Sequence, residues 1–453
     1  MQRRAAIPAA LILAALCPGC ARPADQARTD TAEAEPAAAV APADPAMVTS
    51  VAEGNRAFGV ALYRELAAKP GNVFVSPISI AGAFGPVVAG AQGETRTVIA
   101  RALRFPAGGG AALHPQLGGL LRGLERDRNG ATLSIANALW VQQGFTIKPA
   151  FVRVAREDYD ATSENLDFVR APASAAARIN AWVNEETRGR IPTLFPPDAF
   201  TDLTRLVVTN AVYFLGDWAE PFRRSATTPQ PFFLLDGGAR QVPLMSRQGQ
   251  YRTHWTETFT AIDLPYKDER LSMTVFLPHA RGGLPAFEAG LTAERLAEWL
   301  SKLDEAQPGK TQLFLPRVEI SEGYDLKQPL RAMGMGLAFT RGKANFRDIA
   351  DADLYISEVA HKTFVRMDEK GTEAAAATGV VISTVSAPLP FRADHPFFFL
   401  LRDKTSGAIF FMGRIADPGD GPTIAVPPEA NPGNNGQPAR PPPPPPPPPP
   451  VRR

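Results

Sequence analysis

The chain's own side chains offer little for catalysis. Five histidines, His114, His254, His279, His361 and His395, are scattered through 453 residues. None sits in an H-E-x-x-H pair, no G-x-S-x-G sets a serine on a strand-to-helix turn, and no glycine-rich loop opens a helix to cradle a phosphate. The two cysteines, Cys17 and Cys20, lie together near the N-terminus, so no Cys/His set has metal-ligand spacing. Ser79 and His361 can be drawn as a hydrolase pair, but no third group orients them. The chain is read as no enzyme, with no metal and no cofactor.

A different kind of chemistry is open to the segment Glu369, Lys370, Gly371, Thr372, Glu373, Ala374, Ala375, Ala376, Ala377 and Thr378, followed by Val380-Val-Ile-Ser-Thr-Val385. Four alanines favour a helical turn, whereas the β-branched run after them favours extended chain. As a strand, Thr372, Ala374, Ala376, Thr378, Val380 and Ile382 share one face, and that face carries no charge. Small residues lead and larger apolar ones follow, an order suited to entering a gap between packed strands. Burying Val380 and Ile382 would release roughly 1.5–3 kcal/mol each. Gly371 is free to take an unusual φ where the chain turns. The competing reading is an ordinary alanine-rich surface loop.

The elements that must carry this segment form a large mixed domain. The composition is 45% hydrophobic and 21% charged with a formal net charge of +2, enough for a core and without a basic footprint for nucleic acid. Helical periodicity shows at Val51 to Leu66 and Ile179 to Thr187. Strand-like runs are Leu206 to Phe214, Leu271 to Leu277 and Phe397 to Leu401, and Gly407 to Arg414 reads as a closing strand. Helices early and strands late predict an α+β domain over residues 48–416. Residues 1–20 read as a signal peptide, with Arg3 and Arg4 before the apolar Ala5 to Leu16. Gly19-Cys20 resembles a lipoprotein cleavage point, leaving two routes open: a lipidated Cys20 holding an exported protein to a membrane, or plain secretion to the periplasm or the extracellular space. Residues 21–47 read as an Ala/Pro-rich disordered tether, and 417–453 as a Pro-rich tail ending in the run Pro441 to Pro450, a stiff spacer or a ligand for an aromatic groove.

Several separated segments resemble the serpin family. They are Asn72-Val-Phe-Val-Ser-Pro-Ile-Ser-Ile80, Gly90-Ala-Gln-Gly-Glu-Thr95, Asn137-Ala-Leu-Trp-Val141 with Tyr159-Asp-Ala161, and Thr209-Asn-Ala-Val-Tyr-Phe214 with Gly216-Asp-Trp218 and Pro221-Phe222. Leu315-Pro-Arg317, Tyr324-Asp-Leu326, His361-Lys362 and His395-Pro-Phe397 complete the series in the family's order.

The resemblance implies a serpin fold of three β-sheets and about nine helices, with an exposed reactive-centre loop able to join the main sheet as a strand. It implies that Glu369 to Thr378 is the hinge of an inhibitory loop, since no bulky, charged or proline residue interrupts the insertable face after Gly371. It places the bond cut by the target at Val385-Ser386, with a shift of one residue left open. A valine there suits an elastase-like or subtilisin-like serine protease, with a cysteine protease as a further partner class. The expected product is a covalent acyl-enzyme complex with a monomeric inhibitor. Ser76, Ser79, Asn210 and His361 match the family's polar cluster beneath the opening sheet, and Trp218 matches the position where insertion starts. The alternative within the family is a non-inhibitory, surface-tethered binding scaffold.

Overall fold

The computed structural model describes residues 44–106, 112–125, 130–267, 269–372, 389–419 and 423–424. Helix α1 (Pro45–Ala67) opens on a proline whose φ is preset, and Asp44 accepts from the Ala46 amide at 3.0 Å. It therefore starts ahead of Val48, where composition put the domain boundary. Helix α2 (Pro77–Gly90) also opens on proline and is buried on nearly every side, which places it in the interior. Helices α3 (Gly93–Ala102), α4 (Leu113–Glu125), α5 (Pro149–Tyr159) and α6 (Pro172–Glu186) follow. Helix α6 begins before Ile179 because Pro172-Ala-Ser-Ala-Ala-Ala is strongly helix-forming yet carries no apolar period. Three helices come later, α7 (Leu284–Gly290), α8 (Ala293–Glu305) and α9 (Lys327–Leu330), of which α7 and α9 are short.

The strands are β1 (Val73–Val75), β2 (Ala131–Gln142), β3 (Thr162–Leu166), β4 (Leu206–Asp217), β5 (Thr228–Phe233), β6 (Ala239–Trp255), β7 (Phe259–Pro265) and β8 (Leu271–Pro278). They continue as β9 (Gly309–Pro316), β10 (Val318–Asp325), β11 (Ile356–Met367), β12 (Gly371–Thr372), β13 (Leu389–Arg392), β14 (Phe397–Asp403), β15 (Ile409–Ile415) and β16 (Thr423–Ile424). The main sheet runs β10-β11-β4-β2-β3, with β12 against β4. The other ten strands form one network in which the long β6 is shared. Its first part pairs with β5, its middle with β9 and its last residues with β7. The network is thus two sheets joined by one strand, which with the main sheet makes three in an α+β fold.

The core lies between the main sheet and the β1-β15-β14-β8 side, with α2 inside it. Phe74 stacks on Phe399 and Phe411 at centroid distances of 5.7 and 4.6 Å. A second, smaller cluster on the opposite face of the main sheet joins Trp140, Ala211 and Phe364 to Ile179, Trp182 and Val183 of α6. The main sheet is therefore covered on both sides.

Candidate functional site

In the middle of the main sheet β4 and β11 run parallel and directly adjacent, from Glu358 against Val207 to Phe364 against Tyr213. At one level of this seam four polar side chains stand in register across four strands: Asn137 on β2, Asn210 on β4, His361 on β11 and Tyr324 on β10. His361 Nδ1 lies 2.5 Å from Asn210 Oδ1 across the seam, and the Asn210 amide donates to Asn137 Oδ1 at 2.7 Å. The same amide reaches the Ser79 hydroxyl on α2. The Ser76 amide donates to His361 Nε2 at 3.1 Å. With Nε2 accepting, Nδ1 must carry the proton, so these bonds assign a neutral imidazole with one tautomer. Burial agrees, pushing the His361 pKa down to about 3. Tyr324 closes the row: its ring lies parallel to His361 and its hydroxyl accepts from the Phe74 amide at 3.0 Å.

Ser76, Ser79, Asn210 and His361 are thus brought together, joined by Asn137 and Tyr324, which sequence reading did not single out. Both lie within quoted family segments, but only strand register reveals that they continue the row. Trp218 does not join this cluster. It stands just past the end of β4, stacked on Tyr266 at 4.7 Å, and its indole donates to the Asp368 carbonyl at 3.0 Å.

There the segment read from the sequence as a hinge begins. After Met367 the chain reverses, Asp368 and Gly371 exchanging amide-to-carbonyl bonds of 2.8 and 3.3 Å. Gly371 then pairs with Asp217 and Thr372 with Gly216, antiparallel to β4. Gly371 has φ +151, and a Cβ there would lie 1.9 Å from the Gly216 carbonyl oxygen, so no other residue fits. Lys370 accepts from the Trp218 amide through its carbonyl at 2.9 Å. Glu369 is held at both ends: its carbonyl accepts from the Phe222 amide at 2.6 Å, and its carboxylate from Thr227 at 2.7 Å and from Arg317. Burial alone would raise the Glu369 carboxyl, but the Thr227 and Arg317 hydrogen bonds outweigh it and hold the group below its ordinary value. Glu373, Ala374, Ala375, Ala376, Ala377, Thr378, the Val385-Ser386 bond and Cys20 lie outside the described residues.

The outer face of the seam is strapped. After α6 the chain crosses β11 before entering β4. Lys362 donates to the Thr193 carbonyl at 2.6 Å, and the Arg190 guanidinium lies 5.8 Å over the Phe364 ring. Beneath this crossing a cleft of about 320 Å³ is lined by Phe195, Gly323, Glu358 and Lys362. Among the described residues no group of three acidic, histidine or cysteine side chains could hold a metal ion.

Residues 53–418 match the family described as Serpin (serine protease inhibitor). The chain is 36% identical over 374 residues to Serpin B6 of Macaca fascicularis, covering 81% of this chain and 99% of that one. It is also 36% identical over 375 residues to the leukocyte elastase inhibitor of Bos taurus, covering 80% and 98%. Among solved structures, uncleaved ovalbumin superposes with a TM-score of 0.76 at 29% identity, over 82% of this chain and 100% of that one.

Proposed function

The chain belongs to the serpin family of serine protease inhibitors, and from that premise we propose that it traps its target as an acyl-enzyme by inserting its cut loop between β4 and β11. The observation that carries this reading is the pairing of Gly371 and Thr372 with β4. Two parallel neighbours accept between them one strand antiparallel to both, and the hinge already runs in that direction.

The register extends consistently from either side. Each step down the loop is one step back along β4, so Ile382 would meet Leu206, the first residue of β4. From the turn at Asp368 and Gly371, the same step along β11 brings Ile382 opposite Ser357. Both neighbours therefore run out together. Thr378 would fall between Asn210 and His361, replacing their direct bond with a hydroxyl that can donate to one and accept from the other. Ala374, Ala376, Val380 and Ile382 would join the core-facing side with Val208, Val212 and Phe214 of β4. Each new backbone bond would add about 0.5–1.5 kcal/mol net.

Cleavage makes this possible. Strand β4 spans about 36 Å from Leu206 to Asp217. Full insertion would carry Ile382 that far from the hinge, while the other end of the loop stays fixed on β9, Leu389 against Thr311 and Arg392 against Phe314. The intervening residues 383–388 reach at most about 25 Å. When the protease serine attacks the Val385 carbonyl, the peptide bond breaks, an ester forms and the Ser386 amine leaves with a proton from the protease. The tether is gone, the loop inserts, and the esterified protease is carried along the sheet before water resolves the ester. Val385 directs this to proteases with a small apolar pocket, elastase-like or subtilisin-like. The Arg3-Arg4 segment and Cys20 support export, with or without a lipid on Cys20.

Mixing the protein with pancreatic elastase or subtilisin and running a denaturing gel tests the reading. An inhibitor gives a complex that survives detergent, with Val385 as the new C-terminus of the esterified fragment. A cleaved loop with free protease would instead mark a binding scaffold and sink the proposal.

A further inference from the structure

The region beyond Ala416 was expected to be tail, yet its first residues are built into the fold. The Asn72 side chain accepts from the Ala416 and Asp417 amides at 2.8 and 3.0 Å and donates to the Asp417 carbonyl at 2.8 Å. The Asp417 carboxylate lies 3.0 Å from Arg240 Nε. Farther on, Thr423 and Ile424 pair antiparallel with Arg240 and Ala239 at the start of β6.

Among the described residues the edge they occupy has no other partner. Leu244 pairs with both Thr228 of β5 and Pro316 of β9, so β5 and β9 hold opposite edges of β6. Strand β5 continues to Ala239 on its side, whereas the β9 side ends with the Arg317 amide on the Pro243 carbonyl at 2.9 Å. Strand β16 takes the vacant stretch, covering an unpaired edge. A chain of backbone partners then leads to the loop: Ile424 pairs with Ala239, Ala239 with Phe233, and the Phe233 amide donates to the Asp394 carbonyl at 2.8 Å. Asp394 also receives Arg392 Nε at 2.7 Å, and Arg392 belongs to β13, the strand on which the loop returns.

We propose that Asp417, Thr423 and Ile424 form a strap that fastens the start of β6 and, through Phe233 and Asp394, keeps β13 seated, so that the uncut loop stays out of the main sheet. The timing role rests on the inhibitor reading; the strap itself does not. An uncut loop cannot insert fully unless β13 leaves β9, because residues 383–388 are too short. Leaving requires Asp394 to release Phe233. With β6 pinned on its second edge, the β5–β6 hairpin cannot swing aside with it, and spontaneous insertion slows.

The test compares the full chain with the double variant Thr423→Pro/Ile424→Pro, whose residues at these positions cannot donate a ladder bond, and with Asp417→Asn. Each is incubated uncut, and the fraction that has become heat-resistant and refractory to loop cleavage is followed with time. The double variant is expected to convert roughly tenfold faster, on the strength of the lost backbone pairs, and Asp417→Asn a few-fold faster. The melting temperature of the protease-cut form should match the unmodified chain within about 2 °C. Equal conversion rates would overturn the timing role. Hydrogen exchange over residues 239–242 judges the strap separately: protection lost in the double variant supports it, and no protection in the unmodified chain overturns it. If neither chain converts or traps protease, the inhibitor reading fails while the exchange result still stands.

Discussion

Protonating His361 would force a second N–H onto a ring whose Nε2 already faces the Ser76 amide, in a site that burial keeps free of charge. The folded pKa of about 3 lies below the ordinary 6.5, so the unfolded chain binds the proton first. Stability contributed by the neutral ring is therefore present above pH 6.5 and is lost as pH falls toward 3, amounting to about 2 kcal/mol at pH 5. The Glu369 carboxyl, held below its ordinary 4.5, loses its contribution in the same direction, but only at more acid pH. Between pH 7.5 and 5 other groups titrate as well: burial raises the Glu125 carboxyl to about 7, which favours the fold as pH falls, and burial lowers His114 and His254. The histidine is therefore read from a difference, and over that range the unmodified intact protein should lose several degrees more than His361→Gln. Parallel slopes would mean that the imidazole is not the titrating group. At this scale sequence reading reached Ser76, Ser79, Asn210 and His361 through a family resemblance, but not Arg317 and Thr227 as holders of Glu369. Their link to the hinge spans 52 and 142 positions of sequence and becomes visible only when β9 and the segment before β5 converge on it.

Between residue and fold, the chain crossing from α6 to β4 is tied across the seam that the proposed mechanism opens. Lys362 and Phe364 lie on β11, one side of the seam, whereas Thr193 and Arg190 belong to the crossing chain. Lys362→Met keeps the aliphatic stem but removes the bond to the Thr193 carbonyl, worth about 1–3 kcal/mol for a charged donor. If that bond breaks before the strands separate, the variant should insert its cut loop up to about tenfold faster, measured by stopped-flow with a fluorescent protease. An unchanged insertion rate with a lowered melting temperature would show instead that the crossing chain opens after the rate-limiting step. Elements with a clean period were legible in the sequence: α1, β4, β8 and β14 lie where apolar patterning put them, with ends moved by a few residues. Strand β6 was not, because Pro243 and Gly249 interrupt its pattern and its two ends serve different sheets. Neither was β16, whose place depends on the edge of β6 that it pairs with and on nothing in its own composition.

For the whole molecule, the proposed mechanism requires that the intact protein hold its main sheet one strand short of what the segment after Gly371 can supply. Cutting near Val385 should therefore stabilise the fold even though a peptide bond is lost. Insertion of Thr372 to Ile382 would bury Val380 and Ile382 and form two new ladders, against the ordering of about eleven residues at roughly 1–2 kcal/mol each. The gain must exceed that entropy for the trap to work, so the cut form should melt at least 15 °C above the intact one, a difference that ordinary surface changes do not produce. Thr372→Arg supplies the control. A guanidinium on the core-facing side at the first inserted position costs several kcal/mol to desolvate, so this variant should be cut at the same bond, release active protease and show little rise in melting temperature. A variant that still melted with the large rise would place the entry point below Thr372. A cut form of the unmodified chain that melted no higher than the intact one would remove the stored gradient on which trapping depends.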